Sequence, residues 1–236
     1  MIASTSRIFW AADMSAARTY LQEIRDLLDR LENTQMAAIE RAGALCADAL
    51  IAGRRIYVSA KGTHSIHTEV THRAGGLIGP AILSEDTAEL RAGDVVIIGT
   101  NAGFDSTTVG LALRCRELDV RTIAITTVVF EQGIESVDPS GKTLHEVTDL
   151  CIDQGGVLGD ALLEFPELDV PIIPPSGVLC VTAVWMVFAA AAERMIAAGK
   201  PPLVYQAIQL PGAAERNARY DAEAVRPGAG HGRIQE

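Results

Sequence analysis

The chain has no two cysteines spaced to work together. Cys46, Cys115, Cys151 and Cys180 are scattered among apolar neighbours with no C-x-x-C spacing, so buried, reduced thiols are expected rather than a disulfide framework. A surplus of positive charge is missing as well. With 20 Lys and Arg against 30 Asp and Glu, the net charge is −10 and no basic face for nucleic acid is expected. An anionic ligand would have to be held by local positive potential, from backbone N–H groups or from Lys61 and Arg73. Met1 to Trp10 lacks a charged segment followed by a long apolar core, so a secretory signal is not expected and a cytoplasmic location is. Val178 to Ala192 is uncharged and ends at Glu193-Arg194, short of the roughly 20 apolar residues that a span needs. It is read as a helix buried in the core or at a subunit interface, with no membrane partner. Neither strand-loop-helix unit contains G-x-G-x-x-G, which disfavours a dinucleotide-dependent dehydrogenase.

What is present reads as one α/β domain. At 236 residues and 48% hydrophobic, the chain is long enough for a sizeable core. Arg55-Ile56-Tyr57-Val58-Ser59 is a β-branched apolar run that enters the turn Ala60-Lys61-Gly62-Thr63-His64-Ser65 and then a helical pattern. A second unit follows, with Asp94 to Gly99 as strand and Thr100-Asn101-Ala102-Gly103-Phe104-Asp105-Ser106-Thr107-Thr108 as the turn into a helix. Val120 to Thr126 reads as a third buried strand, and Leu150 to Asp153 as a short one after a helical segment that contains His145. Repeated strand, polar loop and helix imply a parallel sheet covered by helices on both faces, with ligands at the carboxyl ends of the strands. Unpaired N–H groups at the helix starts, with hydroxyls from Thr63 and Ser65, suit phosphate or another polar sugar substituent.

Ser15 to Leu31 carries Leu21, Ile24, Leu27, Leu28 and Leu31 at helical spacing, and Asn33 reads as the N-cap of a second helix that ends at Gly53. Residues 154–177 hold several glycines and prolines and are expected to form a long irregular loop of the kind that acts as a lid or binding segment. The tail, 221–236, is rich in turn formers and is expected to be disordered, with His231 carrying no chemistry.

These residues resemble the SIS (sugar isomerase) domain superfamily, close to its small phosphoheptose-isomerase-like branch. The resemblance runs from about Met14 to Tyr220. It rests on Glu69-x-x-x-Arg73-Ala74-Gly75-Gly76-Leu77, Gly93-Asp94, the Asn101-x-Gly103 turn, Pro139-Ser140-Gly141-Lys142-x-Leu144, Gly159-Asp160-Ala161-x-x-Glu164, and Leu210-Pro211-Gly212 with Asn217. It implies a three-layer αβα sandwich over residues 54–220, N-terminal helices over 1–53 that pack across a homodimer or homotetramer, and a sugar or sugar-phosphate ligand at a subunit boundary. It also implies aldose-ketose isomerisation, with a non-catalytic phosphosugar sensor and a lyase or etherase as alternatives.

On that reading Glu69 is the base that moves a proton between C1 and C2, and His64 and Glu164 are the other acid/base candidates. The competing reading of Glu69 is an ordinary i,i+4 ion pair with Arg73, and the two are compatible. Gly62, Thr63, Ser65, Thr100, Asn101, Gly103, Ser106, Thr107, Asp160 and Ser176 are the substrate-binding candidates. Asp160 and Glu164 fall one helical turn apart, and either Asp160 or Ser176 can instead serve as a helix cap. No cofactor is assigned. Zinc on His64 and Glu69 is the alternative that the resemblance brings, whereas His67 and His72 are read as surface or interface residues and His145 as a surface residue before a proton shuttle. Two departures stand out. The serine-rich phosphate loop of the resembling proteins is Thr100-Asn101-Ala102-Gly103-Phe104 here, and Asp138 and the C-terminal helix lack histidines present in that branch. Phe104 is read as a packing residue before a sugar-stacking one.

Overall fold

Five β-branched or aliphatic runs build the sheet that organises the molecule. The computed structural model describes residues 15–62, 65–84 and 87–224. Its strands are β1 (Ile56–Ser59), β2 (Ala81–Leu83), β3 (Val95–Gly99), β4 (Arg121–Thr126) and β5 (Leu150–Asp153), all parallel, in the order β2-β1-β3-β4-β5. Side chains alternate across each strand. Ile56, Val58, Val95, Ile97, Ile123, Ile125 and Ile152 therefore face one core, while Tyr57, Val96, Ile98 and Ala124 face the other. The first core is covered by α1 (Ala16–Ile51), α2 (Ile66–Val70) and α6 (Ser176–Ala197). The second is covered by α3 (Ser106–Glu117) and α5 (Leu144–Val147). Short α4 (Val128–Gly133) follows β4, and α7 (Ala213–Ala224) closes the described chain. This is the expected three-layer αβα sandwich with a helical N-terminal part.

The N-terminal part differs in one respect. Residues 16–51 form a single helix, not two. Asn33 and Thr34 lie exposed in its middle, and the Thr34 hydroxyl donates to the Arg30 carbonyl at 2.7 Å instead of capping a new helix. Continuity follows from packing. Leu31, Ile39, Cys46 and Leu50 all contribute to the same core as α6, and no Gly or Pro between Leu31 and Ile39 interrupts the ladder. The Arg194 guanidinium on α6 adds two hydrogen bonds to Asp48, at 2.9 and 3.0 Å.

Helix α6 is long and apolar enough, by length and composition, to cross a membrane. In the fold it buries Leu179, Cys180, Ala183, Val184, Val187, Phe188 and Ala191 against α1 and the sheet, as a core helix does. All four cysteines are free, and burial pushes each thiol up to about 12, which keeps them protonated and unreactive. Short β2 was not anticipated. It is three residues long, too brief for a periodicity to register.

Candidate functional site

Strand order reverses between β1 and β3, and the loops that leave these two strands diverge to opposite faces of the sheet. The crevice at their carboxyl ends is the natural ligand position. On the β1 side, the Ser59 hydroxyl accepts from the Lys61 N–H at 3.0 Å, which turns the chain out of the strand. Gly62 then passes over the end of β3 with φ +127°, and a Cβ there would collide with the Gly99 carbonyl oxygen. Gly62→Ala is therefore expected to lower stability by about 1–3 kcal/mol, readable as a reduced denaturant midpoint with unchanged slope. Thr63 and His64 lie outside the described residues, so their candidate roles are carried forward by sequence alone. Ser65 is exposed at the start of α2.

On the β3 side, Thr100 and Asn101 are buried. The Thr100 hydroxyl accepts from the Ala102 N–H at 3.1 Å. Asn101 belongs to a network across three strand ends. Its Oδ1 accepts from the Thr127 hydroxyl and from Gln154 Nε2 at 3.2 Å, and Gln154 Nε2 also reaches Thr127 Oγ1 at 2.7 Å. The Asn101 carbonyl is thus committed to holding the loop. Gln154 Oε1 is buried without a hydrogen-bond partner.

Helix α3 presents a carboxylate where an anion would otherwise sit. Asp105 is its N-cap, and Asp105 Oδ1 accepts from the N–H groups of Thr107 and Thr108 at 2.9 and 3.0 Å, while Oδ2 accepts from the Thr108 hydroxyl at 2.7 Å. Those donors are consumed, leaving Ser106 and the Thr107 side chain as exposed flanks. Phe104 stacks on Phe130 with ring centroids 6.0 Å apart, in the packing role expected.

Beneath the loop lies a group that sequence reading missed. Glu131 on α4 has a side chain with no exposed surface. It accepts from the Thr126 hydroxyl, from the His145 backbone N–H at 3.1 Å and from His145 Nδ1 at 2.6 Å. Thr143 Oγ1 lies 2.9 Å from the same Nδ1. His145 is consequently not a plain surface residue. Its side chain is only 28% exposed, because the imidazole is clamped against the buried carboxylate. Gly103 rests directly on Glu131, which explains the glycine of the Asn101-x-Gly103 turn.

Glu69 and Arg73 form the i,i+4 pair at 3.4 Å, both half exposed. Glu69 stands one turn into α2, and its Cα–Cβ bond leans back toward the loop, as all side chains do on a helix. Asp160 and Glu164 are not on a helix. Residues 159–164 are turn and extended chain, Asp160 has φ +52°, and Leu163 bridges to Ile172. The Asp160 carboxylate instead caps α6 across 16 residues, accepting from the Ser176 N–H at 3.2 Å and the Ser176 hydroxyl at 2.6 Å. The two candidates satisfy each other at that helix start. Glu164 sits beside Phe165 and Pro166 in the long irregular loop. Among the described residues, no three His, Cys, Asp or Glu side chains gather as a metal would require.

Residues 19–86 match the model of the SIS domain family. Over that stretch the chain is similar to the SIS domain family. It is 29% identical to a UPF0309 protein of Streptomyces coelicolor, over 88% of this chain and 94% of that one. It is 28% identical to a UPF0309 protein of Geobacillus kaustophilus, over 85% and 91% of the two chains. Its fold is similar to that of a phosphoheptose isomerase from Francisella tularensis, with a TM-score of 0.50 and 14% identity over 75% of this chain and 97% of that chain.

Proposed function

We propose that this SIS-domain protein is a sugar or sugar-phosphate isomerase, with Glu69 as the base that shuttles a proton between C2 and C1. The observation that carries the reading is the placement of Glu69, one turn into α2 directly after the loop at the strand-order reversal. Its carboxylate takes the C2 proton of the open-chain aldose, and the electron pair moves through the C1 carbonyl onto O1 to give an enediolate. The proton returns to C1 while the O2 proton passes to O1, so that C2–O2 becomes the ketose carbonyl. The likeness in fold to a phosphoheptose isomerase supports a sugar-related role. The protein is proposed to act in the cytoplasm as a homodimer or homotetramer, for which exposed Val178 and Ile196 on α6 supply apolar surface.

Asp105 bears on the substrate. A phosphate placed at the start of α3 would face a fixed carboxylate that already holds the helix donors, so the sugar group seated there is uncharged. A second reading is a non-catalytic sugar-binding protein. The half exposure of Glu69 and its pairing with Arg73 favour it, since water and the guanidinium compete with a substrate for the carboxylate oxygens.

A thermal-shift screen against unphosphorylated aldoses and ketoses and their phosphates tests the sugar reading, because a ligand that binds only the native state raises Tm. Unphosphorylated sugars are expected to register more strongly. In Asp105→Ser, affinity for the sugar phosphate is expected to rise on the order of tenfold, about 1.4 kcal/mol. If no sugar of either kind moves Tm, the sugar reading is wrong.

A further inference from the structure

The loop after β3 and helix α4 share an apolar face beside the candidate site. Phe104 stands between Gly103 and the α3 cap Asp105, and its ring lies along that of Phe130 on α4, with centroids 6.0 Å apart and planes 20° from parallel. Three residues on, Gly133 shares the Phe130 side of the helix. Leu158 packs there, with its Cδ1 3.3 Å from where a Gly133 Cβ would stand. Val137 joins the face through its N–H, which donates to the Phe104 carbonyl at 3.0 Å.

This face is open to solvent. Phe104 and Phe130 are half-buried, while Leu158 is 50% exposed and Val137 67%. A contiguous apolar surface that adjoins a ligand crevice is suited to taking up part of the ligand. Its position fits the far end of a sugar. Glu69 follows β1, whereas Phe104 follows β3 and Phe130 follows β4, the next strands across. Neighbouring strands lie about 4.8 Å apart, so an extended six-carbon chain with C1 and C2 at Glu69 carries its other end toward the Phe104 and Phe130 rings.

The chemistry of that end follows from its neighbours. A phosphate is disfavoured because the Asp105 carboxylate already holds the Thr107 and Thr108 N–H groups. A terminal hydroxyl would give up water against two phenyl rings and a leucine, none of which offers it a hydrogen-bonding atom. A methyl group gains contact with the ring faces and leaves no polar atom unpaired. We propose that the substrate is a 6-deoxy sugar, whose terminal methyl packs on Phe104, Phe130 and Leu158. The inference rests on the sugar reading of the same site and narrows its ligand class.

Calorimetry on the full-length protein compares D-glucose, D-galactose and D-mannose with the 6-deoxy and 6-phosphate form of each. For at least one of the three, the 6-deoxy form is expected to bind on the order of tenfold tighter than the parent sugar, with the 6-phosphate weakest. Leu158→Asn and Phe104→Ser are each expected to cut that preference to about threefold or less, by weakening the 6-deoxy form alone. Leu158 is half exposed, so its variant decides the matter where Phe104→Ser does not fold, and ligand-free Tm reports folding. Parent sugars that bind as tightly as their 6-deoxy forms overturn the inference, as does an undiminished preference in Leu158→Asn and in folded Phe104→Ser. The sugar reading fails in a different way, by the absence of binding to every compound, which overturns the inference with it. Failure of the isomerase reading alone registers as 6-deoxy-selective binding without any proton exchange on the sugar.

Discussion

Gly103→Ala is expected to lower stability by about 3 kcal/mol or more, the largest loss of any single methyl added at the strand ends. The added Cβ would come within 2.5 Å of the Glu131 carboxyl carbon and 2.9 Å of Leu144 Cβ, and it would collide with Glu131 Oε1. Glu131 has nowhere to retreat. Its oxygens hold the Thr126 hydroxyl, the His145 N–H and the His145 imidazole, and the Leu144 N–H donates to the Gly103 carbonyl at 2.6 Å. Moving the loop breaks that last bond, and moving the carboxylate strands buried donors. Urea unfolding of the two proteins checks this. A difference under about 0.5 kcal/mol would mean that the loop does not rest on Glu131.

Glu69→Gln is expected to reduce isomerisation by about 100-fold or more while the fold is retained. General base catalysis by a positioned side chain contributes roughly 10²–10⁴-fold, and glutamine matches the shape of glutamate without accepting the proton. Stability should change by less than about 0.5 kcal/mol, because both members of the Glu69–Arg73 pair are exposed and such pairs contribute little. Substrate affinity should also be kept. Steady-state turnover together with binding by calorimetry separates these effects. Full turnover in the variant would move the base elsewhere, and a loss of binding that matches the loss of rate would make Glu69 a binding residue.

The sheet was legible because its strands are continuous Val and Ile runs, which is the pattern of strands buried on both faces. β5 falls on the residues expected, and the Thr143–Glu146 capping box marks the helix before it. The N-terminal helix was divided wrongly at Asn33, since a capping residue and an exposed mid-helix asparagine look alike until the packing on α6 is known. The loops at 60–62 and 100–105 were legible as turns, but not what their side chains do. Asn101 turns inward because Thr127 and Gln154, from two other strand ends, reach its carbonyl. Glu131 and His145 lie 14 residues apart in an unremarkable stretch, and only the return of the chain beside β4 brings them together. Asp160 and Ser176 were each identified, yet their pairing depends on how residues 161–175 fold back, which local pattern does not encode.

Proton exchange at C2 tests the central claim most directly. The wild-type protein is incubated in D₂O with the sugar that raises its Tm most, and the C2 and C1 positions are followed by NMR. The account predicts deuterium at C2 of the aldose or C1 of the ketose, at a rate that falls about 100-fold or more in Glu69→Gln. Tight binding with both positions fully protonated would contradict it and leave a sugar-binding protein without isomerase chemistry.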